Sequence, residues 1–201
     1  MCNFKDDKYY DYVCILSVLA QCAIDNAKRR FDIDISGEIK RIKNNMDINI
    51  IFHIFIDYID DMSLNLLEKF AKDNKVIVII YKINTEVFDQ LPYTKHFAKA
   101  TYNRFLMPQI LDGIVNKLIY IDADVQCFGN LKSLMQLDFK DNIVAVVNDL
   151  PYVREKQIKK LNIKNNKYFN AGFMFIDVKK WNDNNISEKA IKLSFDNFRL
   201  S

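Results

Sequence analysis

Apolar residues recur along this chain in two alternating patterns, continuous runs and helix-like spacings. Residues 48–56 (INIIFHIFI) and 76–81 (VIVIIY) are continuous runs rich in β-branched residues, each bounded by polar segments. Runs of this length are typical of strands that are buried on both faces of a parallel sheet. Further strands are predicted at 117–121, 143–147 and 173–178.

Helix-like spacing of apolar residues occupies the segments between these runs. The spacing predicts helices at 12–24, 63–72, 95–111, 131–137 and 187–195. Ser187 is placed to cap the last of them. Strands that alternate with helices predict an α/β fold with a mostly parallel sheet and helices on both faces. Ligands of such sheets bind beyond the carboxyl ends of the strands, so the residues that follow each strand are the first candidates for chemistry.

Length and composition indicate one globular domain. The chain has 201 residues, and its 29 basic and 26 acidic residues give a net charge of +3. No basic run is dense enough to predict nucleic-acid binding. The four cysteines form no Cys-x-x-Cys pair, which predicts reduced thiols and a cytoplasmic protein. No apolar stretch reaches the ~20 residues that span a bilayer, so no transmembrane segment is predicted.

Two acidic residues end one of the predicted strands, in the segment 117–128 (KLIYIDADVQCF). Residues two apart in an extended backbone point to the same side, so Asp122 and Asp124 can converge on one point. Two hard oxygen ligands suit Mn²⁺ or Mg²⁺, and such an ion could neutralise a diphosphate leaving group. The simpler alternative is an acidic turn that follows a strand.

A second polar group precedes the last predicted strand, in the segment 168–181 (YFNAGFMFIDVKKW). Gly172 lets the backbone pass close to another group, because it has no side chain. Asn170 offers both a donor and an acceptor to a sugar hydroxyl or a base edge. A tight loop that feeds a core strand is the structural alternative, and Trp181 is predicted to be a packing residue.

These segments resemble the motifs of family 8 glycosyltransferases, the retaining group that includes bacterial lipopolysaccharide glucosyl- and galactosyltransferases. YFNAGFMFIDVKKW is similar to the family's signature, and LIYIDADVQCFGNL is similar to its strand and DxD loop. Residues 99–108 (KATYNRFLMP) resemble its helix, and residues 6–9 (DDKY) resemble the motif after its first strand. The four matches follow the family's order from residue 6 to about 191. The resemblance implies a Rossmann-like nucleotide-diphospho-sugar transferase (GT-A) fold.

The resemblance implies roles for the acidic residues of the nucleotide side. Asp122 and Asp124 match the metal-binding pair, and Asp122 and Ala123 lie among the positions that meet the nucleotide. Asp6 matches an acidic residue that contacts the uracil or the ribose. Lys8 takes a nearby place where relatives often have Asn.

The resemblance also implies roles on the sugar side. Arg104 matches a helix arginine near the donor sugar and the diphosphate, whereas the residue pattern alone favours a structural ion pair. Asn170 and Ala171 match the pair that holds the donor sugar. Asp149 matches an acidic residue that contacts the sugar hydroxyls, whereas its position alone favours a cap or a turn.

The implied reaction moves glucose or galactose from UDP-glucose or UDP-galactose to a glycan acceptor, with retention and with Mn²⁺ or Mg²⁺ as cofactor. Lipopolysaccharide or another surface glycan is the implied acceptor, and peripheral association with the inner face of a membrane is compatible with it. No candidate enzymic nucleophile is evident, so a covalent intermediate and a front-face attack both stay open.

Two other functions compete with this one. Residues 1–201 are expected to be a single family 8 domain that lacks its C-terminal part, where relatives carry a third metal ligand. The chain would then transfer sugar poorly, and a non-catalytic remnant that binds UDP-sugar is an alternative. A phosphatase of the haloacid dehalogenase type, with Asp122 as nucleophile, is a weaker one, because Gln126 stands where that motif has Thr or Val.

Overall fold

The computed structural model describes residues 12–18, 49–56, 58–91, 99–122, 125 and 128–199. Its strands are β1 (Tyr12–Val18), β2 (Asn49–Ile56), β3 (Ile77–Lys82), β4 (Lys117–Asp122), β5 (Val144–Asn148) and β6 (Phe169–Asp177). Its helices are α1 (Asp61–Asn74), α2 (Asn103–Ile110), α3 (Lys132–Met135), α4 (Pro151–Lys160), α5 (Val178–Asp183) and α6 (Ile186–Arg199). Short 3₁₀ helices cover Glu86–Phe88 and Lys99–Tyr102. None of the helices described is long and apolar enough to cross a membrane.

The strands form one mixed sheet in the order β3-β2-β1-β4-β6-β5. The first four run parallel, and β6 is antiparallel to both of its neighbours. The mostly parallel sheet predicted from the sequence is therefore confirmed. Because β6 runs the other way, its amino end lies at the edge where β4 and β5 have their carboxyl ends. Residues that follow two strands and residues that begin a third thus meet at one edge.

Helices cover both faces of the sheet, as the sequence predicts. Along β4, Leu118 and Tyr120 pack on the face that α2 and α5 cover. Ile119 and Ile121 alternate with them and pack on the opposite face, against residues of α1 and α3. All four side chains are at most 4% exposed. This continuous burial explains why the strand reads as an unbroken apolar run.

The helix predicted at 12–24 is wrong over its first half, because Tyr12–Val18 is strand β1. Its backbone pairs in parallel with β2 on one side and with β4 on the other. A strand inside a sheet that is covered on both faces carries apolar residues without a period of two. Such a run cannot be distinguished from a buried helix by periodicity alone.

Two predicted helices also differ in detail. The helix predicted at 95–111 is a 3₁₀ turn at Lys99–Tyr102 followed by α2, and residues 92–98 lie outside the described part of the chain. Ser187 lies inside α6 instead of capping it: its hydroxyl accepts a 2.9 Å hydrogen bond from Trp181 Nε1 and donates to the Phe105 carbonyl. Trp181 is 6% exposed, which confirms that it is a packing residue.

Candidate functional site

Asp122 is the last residue of β4 and stands at the edge of the sheet where the carboxyl ends of the parallel strands meet. Its Oδ1 accepts a hydrogen bond from the Tyr120 hydroxyl and another, at 3.3 Å, from Arg104 Nη2. Its side chain is 33% exposed, so solvent or a ligand can reach one side of the carboxylate. The Asp122 carboxylate is therefore held by hydrogen bonds at Oδ1 and is still accessible to solvent or a ligand.

Arg104 joins three elements at this edge. Its Nε donates to the Thr101 carbonyl at 2.8 Å, and its Nη1 donates to the Ala171 carbonyl at 2.8 Å. The guanidinium carbon lies 4.8 Å from the centre of the Tyr120 ring, a distance typical of a cation–π contact. The side chain is only 11% exposed. Arg104 thus links the start of α2 to β4 and β6, beside the carboxylate of Asp122.

The Asn-Ala-Gly segment lies within β6, in a bulge. The pairing of β5 with β6 jumps from Val146 opposite Met174 to Val147 opposite Asn170, so three β6 residues have no partner in β5. The strand predicted at 173–178 therefore begins four residues earlier, at Phe169. Bulges redirect backbone groups away from the regular ladder. Here the redirected carbonyl of Ala171 accepts from Arg104.

Gly172 leaves a space between two oxygens of the site. A Cβ atom built at Gly172 would lie 3.0 Å from Asn170 Oδ1 and 3.0 Å from Asp122 Oδ2. These two oxygens therefore cannot be further apart than twice that distance. Asn170 Oδ1 accepts a 2.8 Å hydrogen bond from the Gly172 amide, which fixes the orientation of the Asn170 side chain. The glycine is needed here because of close contacts, not because of its backbone conformation.

Asp149 directly follows β5 at the same edge of the sheet. Its Oδ1 accepts a 2.8 Å hydrogen bond from the Leu150 amide, and its side chain is partly exposed. Val147, two residues earlier, lies opposite Asn170 in the ladder. The structure therefore brings Asp122, Arg104, Asn170 and Ala171 together and leaves Asp149 at the rim, with no hydrogen bond to them among the contacts described.

The remaining predicted site residues, Asp6, Lys8, Ala123 and Asp124, lie outside the described residues. On either side of Ala123 and Asp124, the Val125 amide donates a hydrogen bond to the Asp122 carbonyl at 3.1 Å. The convergence of Asp122 and Asp124 stays a prediction.

The residues described fit a divalent ion in part. Oδ2 of Asp122 is a hard oxygen ligand of the kind that Mn²⁺ and Mg²⁺ take, and it faces the space left by Gly172. Within the described ranges, no group of three or more His, Cys, Asp or Glu side chains could hold a metal. Asp122 can supply one ligand, and the second predicted ligand stays a prediction.

Sequence reasoning missed Tyr120. The signal was available, because residues two apart on a strand share a face and Tyr120 stands two residues before Asp122. His53 is a buried histidine that lies away from this site. It is 1% exposed, and its Nδ1 lies 2.9 Å from the Tyr81 hydroxyl. Burial lowers the pKa of His53 to about 4.

Comparison with known sequences finds a family model that matches nearly the whole chain and individual relatives that match about three quarters of it. The sequence model of "Glycosyl transferase family 8" matches residues 7–199. The chain is 34% identical over 154 residues to a lipopolysaccharide 1,2-glucosyltransferase of Escherichia coli K12, covering 76% of this chain and 46% of the relative. It is 32% identical over 149 residues to a lipopolysaccharide 1,3-galactosyltransferase of Salmonella typhimurium, covering 72% and 44%. The chain spans about half the length of the curated relatives it matches.

Solved structures with the same fold include the galactosyltransferase LgtC, crystallised with donor and acceptor sugar analogues. It superposes with a TM-score of 0.74 at 22% identity, over 92% of this chain and 66% of that chain. Mouse xyloside xylosyltransferase 1 gives a TM-score of 0.61 at 11% identity, over 92% of this chain and 73% of that chain. These likenesses confirm the predicted GT-A fold.

Proposed function

Because the chain belongs to glycosyl transferase family 8, we propose that it supplies the donor site of a metal-dependent hexosyltransferase. The donor is UDP-glucose or UDP-galactose, and the hexose passes with retention to a glycan acceptor such as lipopolysaccharide. The observation that carries the proposal is the group at the sheet edge, where Arg104 holds Asp122 beside Asn170 and the space at Gly172. The names of the curated relatives support the glucosyl and galactosyl classes and the acceptor.

The acidic residues would hold the divalent ion that meets the leaving group. Asp122, through Oδ2, and Asp124 would hold the Mn²⁺ or Mg²⁺ ion. When bound, that ion neutralises charge on the departing diphosphate. Asp122 itself needs no rearrangement at that moment, because Tyr120 and Arg104 already fix its other oxygen.

Asn170 of β6 and Asp149, which follows β5, orient the sugar. Asn170 has its carbonyl oxygen turned toward the Gly172 amide, so its amide nitrogen is the group left to donate to a sugar hydroxyl. Asp149 at the rim of the site accepts a hydrogen bond from another sugar hydroxyl. Holding the donor in one orientation lowers the entropic part of the barrier. Asp6 and Lys8 would meet the nucleotide.

Calorimetric titration with UDP, with and without Mn²⁺, tests this function. We expect UDP binding that depends on Mn²⁺, that is lost in Asp122→Ala and Asp124→Ala, and that is kept in Asp73→Ala, an exposed carboxylate of α1. UDP affinity that is equal with and without the ion would refute the metal role. Turnover of UDP-glucose and UDP-galactose with a glycan acceptor then separates a transferase from the alternative, a UDP-sugar binder that does not transfer.

A basic surface supports peripheral association with an anionic membrane on the cytoplasmic side. Residues 150–169, which link Asp149 to Asn170, contain six basic residues and one acidic residue, whereas the rest of the chain has two more acidic than basic residues. Exposed apolar side chains accompany them: Leu150 is 58%, Tyr152 70% and Leu161 52% exposed. Cationic and apolar side chains together favour the surface of anionic bilayers.

Co-sedimentation with vesicles tests the membrane contact. We expect binding to vesicles that contain anionic phospholipid and little binding to vesicles of neutral phospholipid. The double variant Lys156→Glu/Lys160→Glu should bind less, whereas Lys69→Glu/Lys72→Glu, the same charge change in α1, should bind as the wild type does. Equal loss in both variants would mean that net charge, and not this surface, governs attachment.

A further inference from the structure

We propose that Tyr120 is a positioning residue for Asp122: its hydroxyl, together with Arg104, holds Oδ1 so that Oδ2 faces the metal and the diphosphate. The inference rests on the proposed function and assigns a role to a residue of the hydrophobic core. Tyr120 does not itself contact the metal or the diphosphate. It acts through the carboxylate of Asp122.

The position of Tyr120 explains how one side chain can serve both the core and the site. The residue is 1% exposed, and its ring packs in the cluster formed by Phe55, Met107 and Met174. A buried hydroxyl requires a hydrogen-bond partner, since leaving it unpaired is costly. Because Tyr120 and Asp122 are two apart on β4, they share a face, and the hydroxyl reaches Oδ1 of Asp122 along the strand.

Arg104 makes the arrangement specific to one oxygen. Its guanidinium lies over the Tyr120 ring at 4.8 Å, and its Nη2 donates to the same Oδ1 at 3.3 Å. Rotation of the Asp122 carboxylate would break both hydrogen bonds to Oδ1. Oδ2 is the oxygen that lies beside the Gly172 space. The ring and the two donors therefore select which oxygen is presented.

Removal of the hydroxyl alone isolates this role. Tyr120→Phe keeps the ring, its packing and its contact with Arg104, and it deletes the donor to Oδ1. Loss of an outer partner of a metal ligand typically lowers metal affinity 10–100-fold. Tyr81→Phe is a matched control, because it deletes a tyrosine hydroxyl bonded to another ionisable side chain, that of His53, on a strand three positions from β4 in the sheet.

The experiment titrates Mn²⁺ into the UDP-saturated protein by calorimetry, with thermal unfolding measured in the same buffer. We expect Tyr120→Phe to weaken Mn²⁺ binding about 10-fold or more and Tyr81→Phe to leave it unchanged. Unfolding temperatures show whether both variants remain folded under the assay conditions. If Tyr120→Phe unfolds under these conditions, the same titration is made at a temperature below its unfolding midpoint, where the weakening must still appear.

The wild-type titration separates the two proposals. Mn²⁺-dependent UDP binding by the wild type, together with wild-type Mn²⁺ affinity in Tyr120→Phe, would overturn the positioning role and leave the proposed function intact. Equal weakening in Tyr120→Phe and Tyr81→Phe would overturn it too, because a general loss of stability would then explain both. No Mn²⁺-dependent UDP binding by the wild type would overturn the proposed function and this inference together.

Discussion

Two tyrosines of this sheet bond to ionisable side chains, and the two pairs have different surroundings. Tyr120 donates to Asp122 at the end of β4, where the aspartate side chain is 33% exposed. The Tyr81 hydroxyl meets His53 Nδ1 at 2.9 Å in the interior, where His53 is 1% exposed and belongs to β2, the strand between β1 and β3. The hydrogen bonds are alike, but only the first pair can reach a ligand.

The difference shows what position along a strand does to a polar side chain. Inside the sheet, burial disfavours the charged form, and the pKa of His53 is lowered to about 4. At the strand end, Asp122 has Arg104 beside it and solvent on its other side. A polar group in mid-strand therefore affects stability, whereas one at the carboxyl end remains available for binding.

The His53 pair should make stability depend on pH. Its folded-state pKa of about 4 lies below the ordinary value of 6.5, so its contribution is complete above pH 6.5 and is lost as the pH falls. A difference of this size corresponds to about 3 kcal/mol at pH 4. Urea denaturation at several pH values should show a shallower decline for His53→Phe than for the wild type. If the free energy of unfolding falls equally with pH in both proteins, groups other than His53 cause the decline.

Arg104 should affect both stability and binding. The Tyr120–Asp122 pair that it contacts would then combine a structural role like that of the His53–Tyr81 pair with a role in ligand binding. Arg104→Ala removes hydrogen bonds to the Thr101 carbonyl, the Ala171 carbonyl and Asp122. We expect the free energy of unfolding to fall by about 2 kcal/mol, since bonds to charged groups contribute roughly 1.5–3 kcal/mol each and water replaces part of them. Urea denaturation measures this loss, and Arg154→Ala on α4 is the control, expected within about 0.5 kcal/mol of wild type. An equal loss in both variants would contradict a special role for Arg104.

Gly172 should affect binding more than stability. In Gly172→Ala the new Cβ would meet Asn170 Oδ1 and Asp122 Oδ2 at 3.0 Å, and shifts of a few tenths of an ångström in these two side chains would admit it. We expect the free energy of unfolding to change by less than about 1 kcal/mol. Mn²⁺-dependent UDP affinity should fall about 10-fold, the low end of the effect of disturbing a ligand's surroundings.

Gly129→Ala is the matched control for that substitution, because a Cβ there meets nothing within 4 Å. Calorimetry and urea denaturation on the two glycine variants separate binding from folding. Unchanged UDP affinity in Gly172→Ala would show that the space beside Asp122 is not part of the ligand site. Position at the carboxyl end of a strand would then not be enough to make a polar side chain part of the ligand site.

The sequence alone predicted the sheet apart from β1, and it predicted the edge of the sheet at which ligands bind. Continuous apolar runs predicted β2 and β3, and the run before Asp122 predicted β4, because strands covered on both faces must be apolar throughout. The family motifs predicted the GT-A fold, and chain order placed Asp122, Asp149 and Asn170 next to strand ends. Asp6, Lys8, Ala123 and Asp124 stay predictions, since the structure does not describe them.

Tertiary structure alone decided how these residues meet. Periodicity could not assign β1, because an apolar run with neighbours on both sides satisfies a helix and a strand equally well. The local sequence does not predict the β6 bulge. The bulge arises where the pairing of β6 with β5 shifts register, between Val146 and Val147. The Arg104 guanidinium bonds to Ala171, 67 residues away in sequence. Contacts of this kind form only when distant segments pack, so the oxygen that Asp122 presents is a property of the fold and not of the motif.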